Sequence, residues 1–145
     1  MNNKNAILFI YLLLFSAIIL TGCKKEEDTE LPVISNLTIG PDNESVLYKG
    51  ETINFKFDAS DNKELASYQL RIYKDSKGDP PASEGWTFTK TWTIPSGKTT
   101  FSADNSEIIV PADALSSNYI FRITVYDAAG NFSKTEVIVP LGERE

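Results

Sequence analysis

Beyond Leu31 the chain predicts an all-β domain, a two-layer sandwich of seven to eight short antiparallel strands, and three observations carry that expectation. Apolar residues recur with a period of two, most plainly from Glu51 to Asp58, where Ile53, Phe55 and Phe57 share one face and Thr52, Asn54 and Lys56 the other. Turn-forming residues separate the runs: Gly40-Pro41-Asp42-Asn43, Lys49-Gly50, Asp61-Asn62, Pro95-Ser96-Gly97, Asp104-Asn105 and Gly130-Asn131. No stretch after Leu31 offers apolar residues at i, i+3, i+4 and i+7 over three turns, so almost no helix is expected.

The strands follow in order. Val33 to Ile39 is the first, and Val46 to Tyr48 together with Thr52 to Asp58 the second, interrupted at Lys49-Gly50. Ala66 to Tyr73 sets Tyr68, Leu70 and Ile72 against Gln69 and Arg71. Lys74 to Gly85 is then the longest connection, with Pro80-Pro81 inside it, and loops of this length are uncommon unless functional or disordered. Trp86 to Ile94, Thr99 to Ser102 and Glu107 to Val110 come next. Tyr119 to Asp127 alternates Phe121, Ile123 and Val125 with Arg122 and Thr124, and Phe132 to Pro140 closes the domain with Val137 and Val139 inward.

The N-terminal part is of a different kind. Ala6 to Leu20 is apolar apart from Ser16, preceded by Lys4 and followed at once by charges. It is shorter than the ~20 residues a membrane-spanning helix needs and reads as the core of a signal peptide. Leu20-Thr21-Gly22-Cys23 closes the run with small residues and the one cysteine of the chain. That tetrad resembles the lipobox of bacterial lipoproteins, which implies a cleaved signal peptide at 1–22, diacylglyceryl transfer to the Cys23 thiol and acylation of the new amino terminus. Residues 23–31 then form a lipidated cysteine with a charged tether, and 32–141 the domain. Lys24-Lys25-Glu26-Glu27-Asp28-Thr29-Glu30 buries nothing and reaches at most ~25 Å at ~3.5 Å per residue. A lysine followed by consecutive acids also resembles the export signal of Bacteroidota surface lipoproteins, which implies display on the outer face of the outer membrane. As a bare charge run it also reads as a solvated spacer.

Composition narrows the chemistry. The 145-residue chain carries 14 basic and 20 acidic residues and no histidine, for a net charge of −6, or −7 once Lys4 leaves with the signal. An acidic surface without basic clusters argues against nucleic acid and against anionic headgroups as partners, so the membrane is expected to be held through acyl chains. Without histidine, and with Cys23 consumed by lipidation, thiolate nucleophiles, disulfides, Ser-His-Asp triads and the usual zinc sites are excluded. Paired carboxylates are the enzymatic machinery left, and they require a cleft and one raised pKa. No catalytic residue is expected.

Two features name the sandwich. Leu115-Ser116-Ser117-Asn118-Tyr119 enters the penultimate strand as a tyrosine corner does, with a buried ring whose hydroxyl is satisfied by nearby backbone. Val125-Tyr126-Asp127-Ala128-Ala129-Gly130-Asn131-Phe132-Ser133 resembles the closing hairpin of bacterial immunoglobulin-like domains, and Pro32-Val33-Ile34-Ser35-Asn36-Leu37 resembles the opening of the same modules in uncharacterised Bacteroidota lipoproteins. The resemblance implies an immunoglobulin-like β-sandwich and specifies a fold rather than an activity; the role expected for the domain is binding or interaction, with an envelope protein or a glycan as partner.

Two constellations could carry chemistry. Asp58-Ala59-Ser60-Asp61-Asn62 and Asp127-Ala128-Ala129-Gly130-Asn131 share the pattern D-A-x-x-N, and in such a topology the turns after the second and penultimate strands lie at one pole. Asp58, Asp61, Asn62, Asp127 and Asn131 are therefore candidate calcium ligands, calcium taking six to eight oxygens. Turn formers that accept backbone N–H bonds are the reading the pattern favours for the same residues, since the spacing lacks an EF-hand-like loop. Trp86, Phe88, Trp92 and Ile94 share one parity of their strand, either as core or as an aromatic platform in which Trp86 and Trp92 stack on a sugar.

Overall fold

The computed structural model describes residues 27–43, 45–75 and 85–144. The expected signal peptide at 1–22, Cys23 and most of the Lys74 to Gly85 connection lie outside the described residues. Among the described residues there are eight strands: β1 (Val33–Ile39), β2 (Leu47–Tyr48), β3 (Thr52–Ser60), β4 (Leu65–Lys74), β5 (Phe88–Thr93), β6 (Thr100–Ile109), β7 (Ser117–Asp127) and β8 (Phe132–Gly142). They build two layers, a sheet in the order β1-β3-β6 and a sheet in the order β2-β8-β7-β4-β5. Every pairing is antiparallel except the short one between β2 and β8. This is the immunoglobulin-like sandwich that the alternation predicts.

The alternation becomes the core directly. Ile53, Phe55, Phe57 and Ala59 of β3 face Tyr68, Leu70 and Ile72 of β4 and Tyr119, Phe121, Ile123 and Val125 of β7, all buried. Each large apolar side chain withdrawn from water contributes ~1.5–3 kcal/mol before chain entropy is subtracted. Phe57 meets Tyr68 edge-on across the layers at 5.1 Å, and within the larger sheet Trp92 stacks on Tyr68 at 5.0 Å. At the open side of the sandwich, a Lys90–Glu107 ion pair joins the edge strands β5 and β6 across the two layers. The tyrosine corner is formed: the Tyr119 hydroxyl donates to Leu115 O at 3.0 Å and accepts from Trp86 N at 3.3 Å.

Two elements differ from the sequence expectation. Val46 to Tyr48 does not continue into β3; the turn at Gly50, with φ at 77°, redirects the chain so that Leu47 and Tyr48 pair with Leu141 and Gly142 in the other sheet. Thr99 to Ser102 and Glu107 to Val110 are not separate strands but parts of one, β6. The turn residues Asp104-Asn105 sit at a β-bulge, where Ile53 pairs with Ile108 but Phe55 already pairs with Asn105. Asn105 Oδ1 accepts the Glu107 N–H at 3.0 Å, so the side chain caps a local kink instead of reversing the strand.

Strand directions sort the connections into two poles. The chain enters β1 at the end where β3 gives way to β4 and β7 to β8. The ends of β1, β4, β6 and β8 lie at the other.

Candidate functional site: an acidic pole

Three carboxylates meet at the entry pole. One oxygen each from Asp28, Asp61 and Asp127 lies within 4.8 Å of the other two. The three residues come from the segment leading into β1, from the β3–β4 connection and from the last position of β7, so only the closed fold brings them together.

Each carboxylate is held by its own local structure. Leaving β3, Asp61 Oδ1 accepts the N–H groups of Lys63 at 2.9 Å and Glu64 at 3.0 Å, an Asx turn, while Asp61 N donates to Thr99 O at 2.8 Å. Leaving β7, Asp127 Oδ1 accepts from Ala129 N at 2.9 Å and Asn131 N at 2.7 Å, and its Oδ2 from Asn131 Nδ2 at 2.7 Å. Gly130 supplies the positive φ, 94°, that this tight reversal requires. The Asn131 amide then donates a second bond, to Asp28 O at 3.0 Å, and so fastens the lead-in segment to the hairpin.

Burial makes the cluster electrostatically costly. Asp127 is only 3% exposed. Asp61 Oδ2 is a buried oxygen that accepts no hydrogen bond. Two like charges ~4.8 Å apart repel by about 3.5 kcal/mol at an effective dielectric constant of ~20. The bonds donated to Asp127 and to Asp61 Oδ1 offset part of this, but Asp61 Oδ2 has no such donor. Hard, anionic oxygens at this spacing are what a divalent cation binds.

The other candidate residues fall elsewhere. Asp58 lies inside β3, not after it, and by the strand's parity it points away from the core. Its Oδ2 accepts from Asn36 Nδ2 at 2.7 Å and its Oδ1 from Ser102 Oγ at 2.6 Å, and these bonds, Asn36 first, hold its carboxyl below the ordinary value of 3.8. Asn36 itself occupies the left-handed region, with φ at 55°, where β1 bulges against β3. Asn62 is exposed in the β3–β4 connection. Asn131 braces the cluster through its nitrogen rather than offering its oxygen there. Sequence pattern does not single out Asp28, because it sits in a polar run that composition reads as spacer.

The tryptophans belong to the inside. Trp86 precedes β5, is 9% exposed and packs 5.8 Å from the Tyr119 ring and 6.3 Å from that of Phe121. Trp92 is partly buried between Phe55 and Tyr68, with Lys90 Nζ 5.0 Å over its ring. Lys90 therefore covers the aromatic at the sandwich edge, and its ion pair chiefly holds Glu107 below the usual carboxylate range.

No curated protein matches the chain significantly. Among solved structures it is similar to Spo0M, a sporulation control protein from Bacillus subtilis, with a TM-score of 0.50 and 11% identity, covering 81% of this chain and 51% of that one. It also aligns with the alkylpurine DNA glycosylase AlkC of Pseudomonas fluorescens (TM-score 0.49, 16% identity, 76% of this chain and 30% of that one). A further alignment is with the PmoD soluble domain from Methylocystis sp. ATCC 49242 (Rockwell) (TM-score 0.42, 15% identity, 79% and 95%). The chain thus spans about half the length of Spo0M, and the likeness is one of fold alone. Across residues 21–141 the sequence matches the family described as Domain of unknown function (DUF4625), and the chain belongs to that family.

Proposed function

We propose that this chain is a lipid-anchored, non-catalytic interaction module of the bacterial cell envelope, displayed on the outer face of the outer membrane. The observation that carries the reading is Leu20-Thr21-Gly22-Cys23 at the end of a short apolar run, with a charged spacer directly after it. The described fold is compatible with it. The lead-in segment joins the sandwich at the acidic pole through Asp28 and Asn131, so the opposite pole faces away from the attachment point. That outer pole carries a shallow open depression lined in part by Val46, Tyr48, Asn54 and Arg144. The Arg144 guanidinium lies 5.1 Å over the Tyr48 ring and pairs with Glu51 at 2.5 Å. Arginine and tyrosine are the side chains that protein interfaces favour.

One observation weighs against catalysis and another against a sugar platform. Asp58 is held ionised by two donated hydrogen bonds, opposite to the raised pKa that a general acid needs. Trp86 is engaged in the core, which leaves a sugar-stacking platform on Trp86 and Trp92 without one of its two rings.

Expression in a Gram-negative host of the Bacteroidota with a labelled fatty acid tests the reading. The mature protein is expected to begin at Cys23, carry label and be digested by protease added to intact cells, whereas Cys23→Ala leaves an unlabelled, unprocessed chain. An unlabelled wild-type protein retaining residues 1–22 overturns it.

A further inference from the structure

We propose that Asp28, Asp61 and Asp127 form a calcium site that fastens the N-terminal lead-in to the sandwich, with Asn131 as the residue that positions the ligands. The site stands on two separate observations. The first is geometric: one carboxylate oxygen from each of the three residues falls within 4.8 Å of the others. Ligands on one calcium ion at ~2.4 Å are at most ~4.8 Å apart, so three oxygens within that distance of one another are close enough for small side-chain adjustments to bring them onto one ion. The second is a deficit: Asp61 Oδ2 is fully buried and accepts no hydrogen bond, although its partner oxygen accepts two. A carboxylate oxygen withdrawn from water normally has a donor or a cation. The metal supplies what the protein leaves out.

The surroundings are arranged as those of a metal site are. Asn131 Nδ2 bonds both Asp127 Oδ2 and the Asp28 carbonyl, orienting one ligand and holding the backbone of another, the role that supporting amides play around ions. Asp127 is fixed further by two backbone N–H groups, so it offers the ion a pre-set oxygen. Backbone carbonyls and water complete the six to eight oxygens calcium takes, and a set made only of oxygen suits it over softer metals. Loading the site draws together the lead-in, the β3–β4 connection and the β7–β8 hairpin. The segment that follows Cys23 is thereby clamped to one pole of the domain. This inference does not depend on acylation, since the ligands bind the ion with or without a lipid.

The test uses the full mature chain, purified in detergent and stripped with chelator. Calcium chloride is titrated in by calorimetry, and thermal unfolding is followed with calcium, with magnesium and with excess chelator. Expected are one ion per chain and a rise in Tm of about 5 to 10 °C near saturating calcium, reversed by chelator. Asp28→Asn is the decisive variant. Asp28 lies outside every strand, the amide retains the Oδ1 that accepts the Glu30 N–H at 3.3 Å, and the variant removes one of three mutually repelling charges, so the apo protein should melt at or above the wild-type temperature. Its calcium response should vanish, while Asp58→Asn, whose side chain is engaged by Asn36 and Ser102, should keep it. The proposal is overturned by an absence of calcium heat and Tm shift in the wild-type protein, by an equal shift with magnesium, or by an Asp28→Asn variant that responds in full.

Discussion

Asp58 and Asp127 hold corresponding places in two matching pentads, yet the fold gives them opposite surroundings. Asp127 is the last residue of β7 and turns inward to organise a hairpin, whereas Asp58 stops two residues short of the end of β3 and projects from the outer face. The period of two explains the split: with Phe57 and Ala59 inward, Asp58 has to point out. Its role there is to bind the Asn36 bulge to Ser102 on the far strand. Because those bonds favour the charged form, the folded pKa lies below the ordinary 3.8. Their stabilisation is accordingly present above the unfolded pKa and is lost as pH falls through the folded one. Ser102→Ala removes the second of the two donors. Its Asp58 carboxyl should titrate closer to 3.8 in a carbon-detected NMR titration, and its Tm deficit relative to wild type should shrink as pH drops from neutral to about 2. An unchanged Asp58 titration would falsify this account. The repeated pentad makes Asp61, Asp127 and Asn131 legible in the amino-acid sequence alone. Asp28 is not, since its partnership arises only when the lead-in folds back beside a hairpin a hundred residues away.

Strands with clean alternation, β3, β4, β7 and β8, are readable from sequence because one face of each is buried and a one-residue slip would expose it. The departures fall where side chains redirect backbone. Asn105 looks like a turn residue and is used as one, but on a scale of two residues, producing a bulge within β6 rather than a reversal. Local chemistry of that kind has the same sequence signature in both outcomes; only the pairing with β3 on either side of the kink selects the bulge. β2 is similarly hidden, since two residues carry too little pattern to announce a parallel pairing with β8. Asn105 is 9% exposed, and its side chain also bonds Tyr68, whose phenol burial pushes above its ordinary value. Asn105→Ala deletes the acceptor for the Glu107 N–H and leaves buried polar groups short of a partner. Urea unfolding should show a loss of about 1–2 kcal/mol, and hydrogen exchange should quicken at Glu107 and Ile108 ahead of the β3–β4 core. Uniform exchange across β6 in the variant would mean that the bulge does not depend on this side chain.

At the scale of the whole molecule, charge and lipid have separate tasks. Cleaved before Cys23 as proposed, the chain would carry a net charge of −7, with acids clustered at the pole through which the proposed anchor enters. An anionic membrane repels such a surface, so the proposed attachment would fall to the acyl chains, each buried CH₂ contributing ~0.8 kcal/mol, and two or three chains would hold essentially permanently. These two forces respond differently to salt. At ~1 M salt the Debye length is ~3 Å and exposed charges are screened, while hydrocarbon burial is not weakened. Native acylated protein reconstituted on vesicles of mixed zwitterionic and anionic lipid should therefore remain bound in co-flotation from ~50 mM to ~1 M sodium chloride. The non-acylated chain beginning at residue 24 should float free at both concentrations, including on vesicles enriched in anionic lipid, since Lys24 and Lys25 are answered at once by Glu26, Glu27 and Asp28. Release of the native protein by salt, or low-salt capture of the non-acylated chain, would place the holding force in electrostatics and remove the need for a lipid at Cys23.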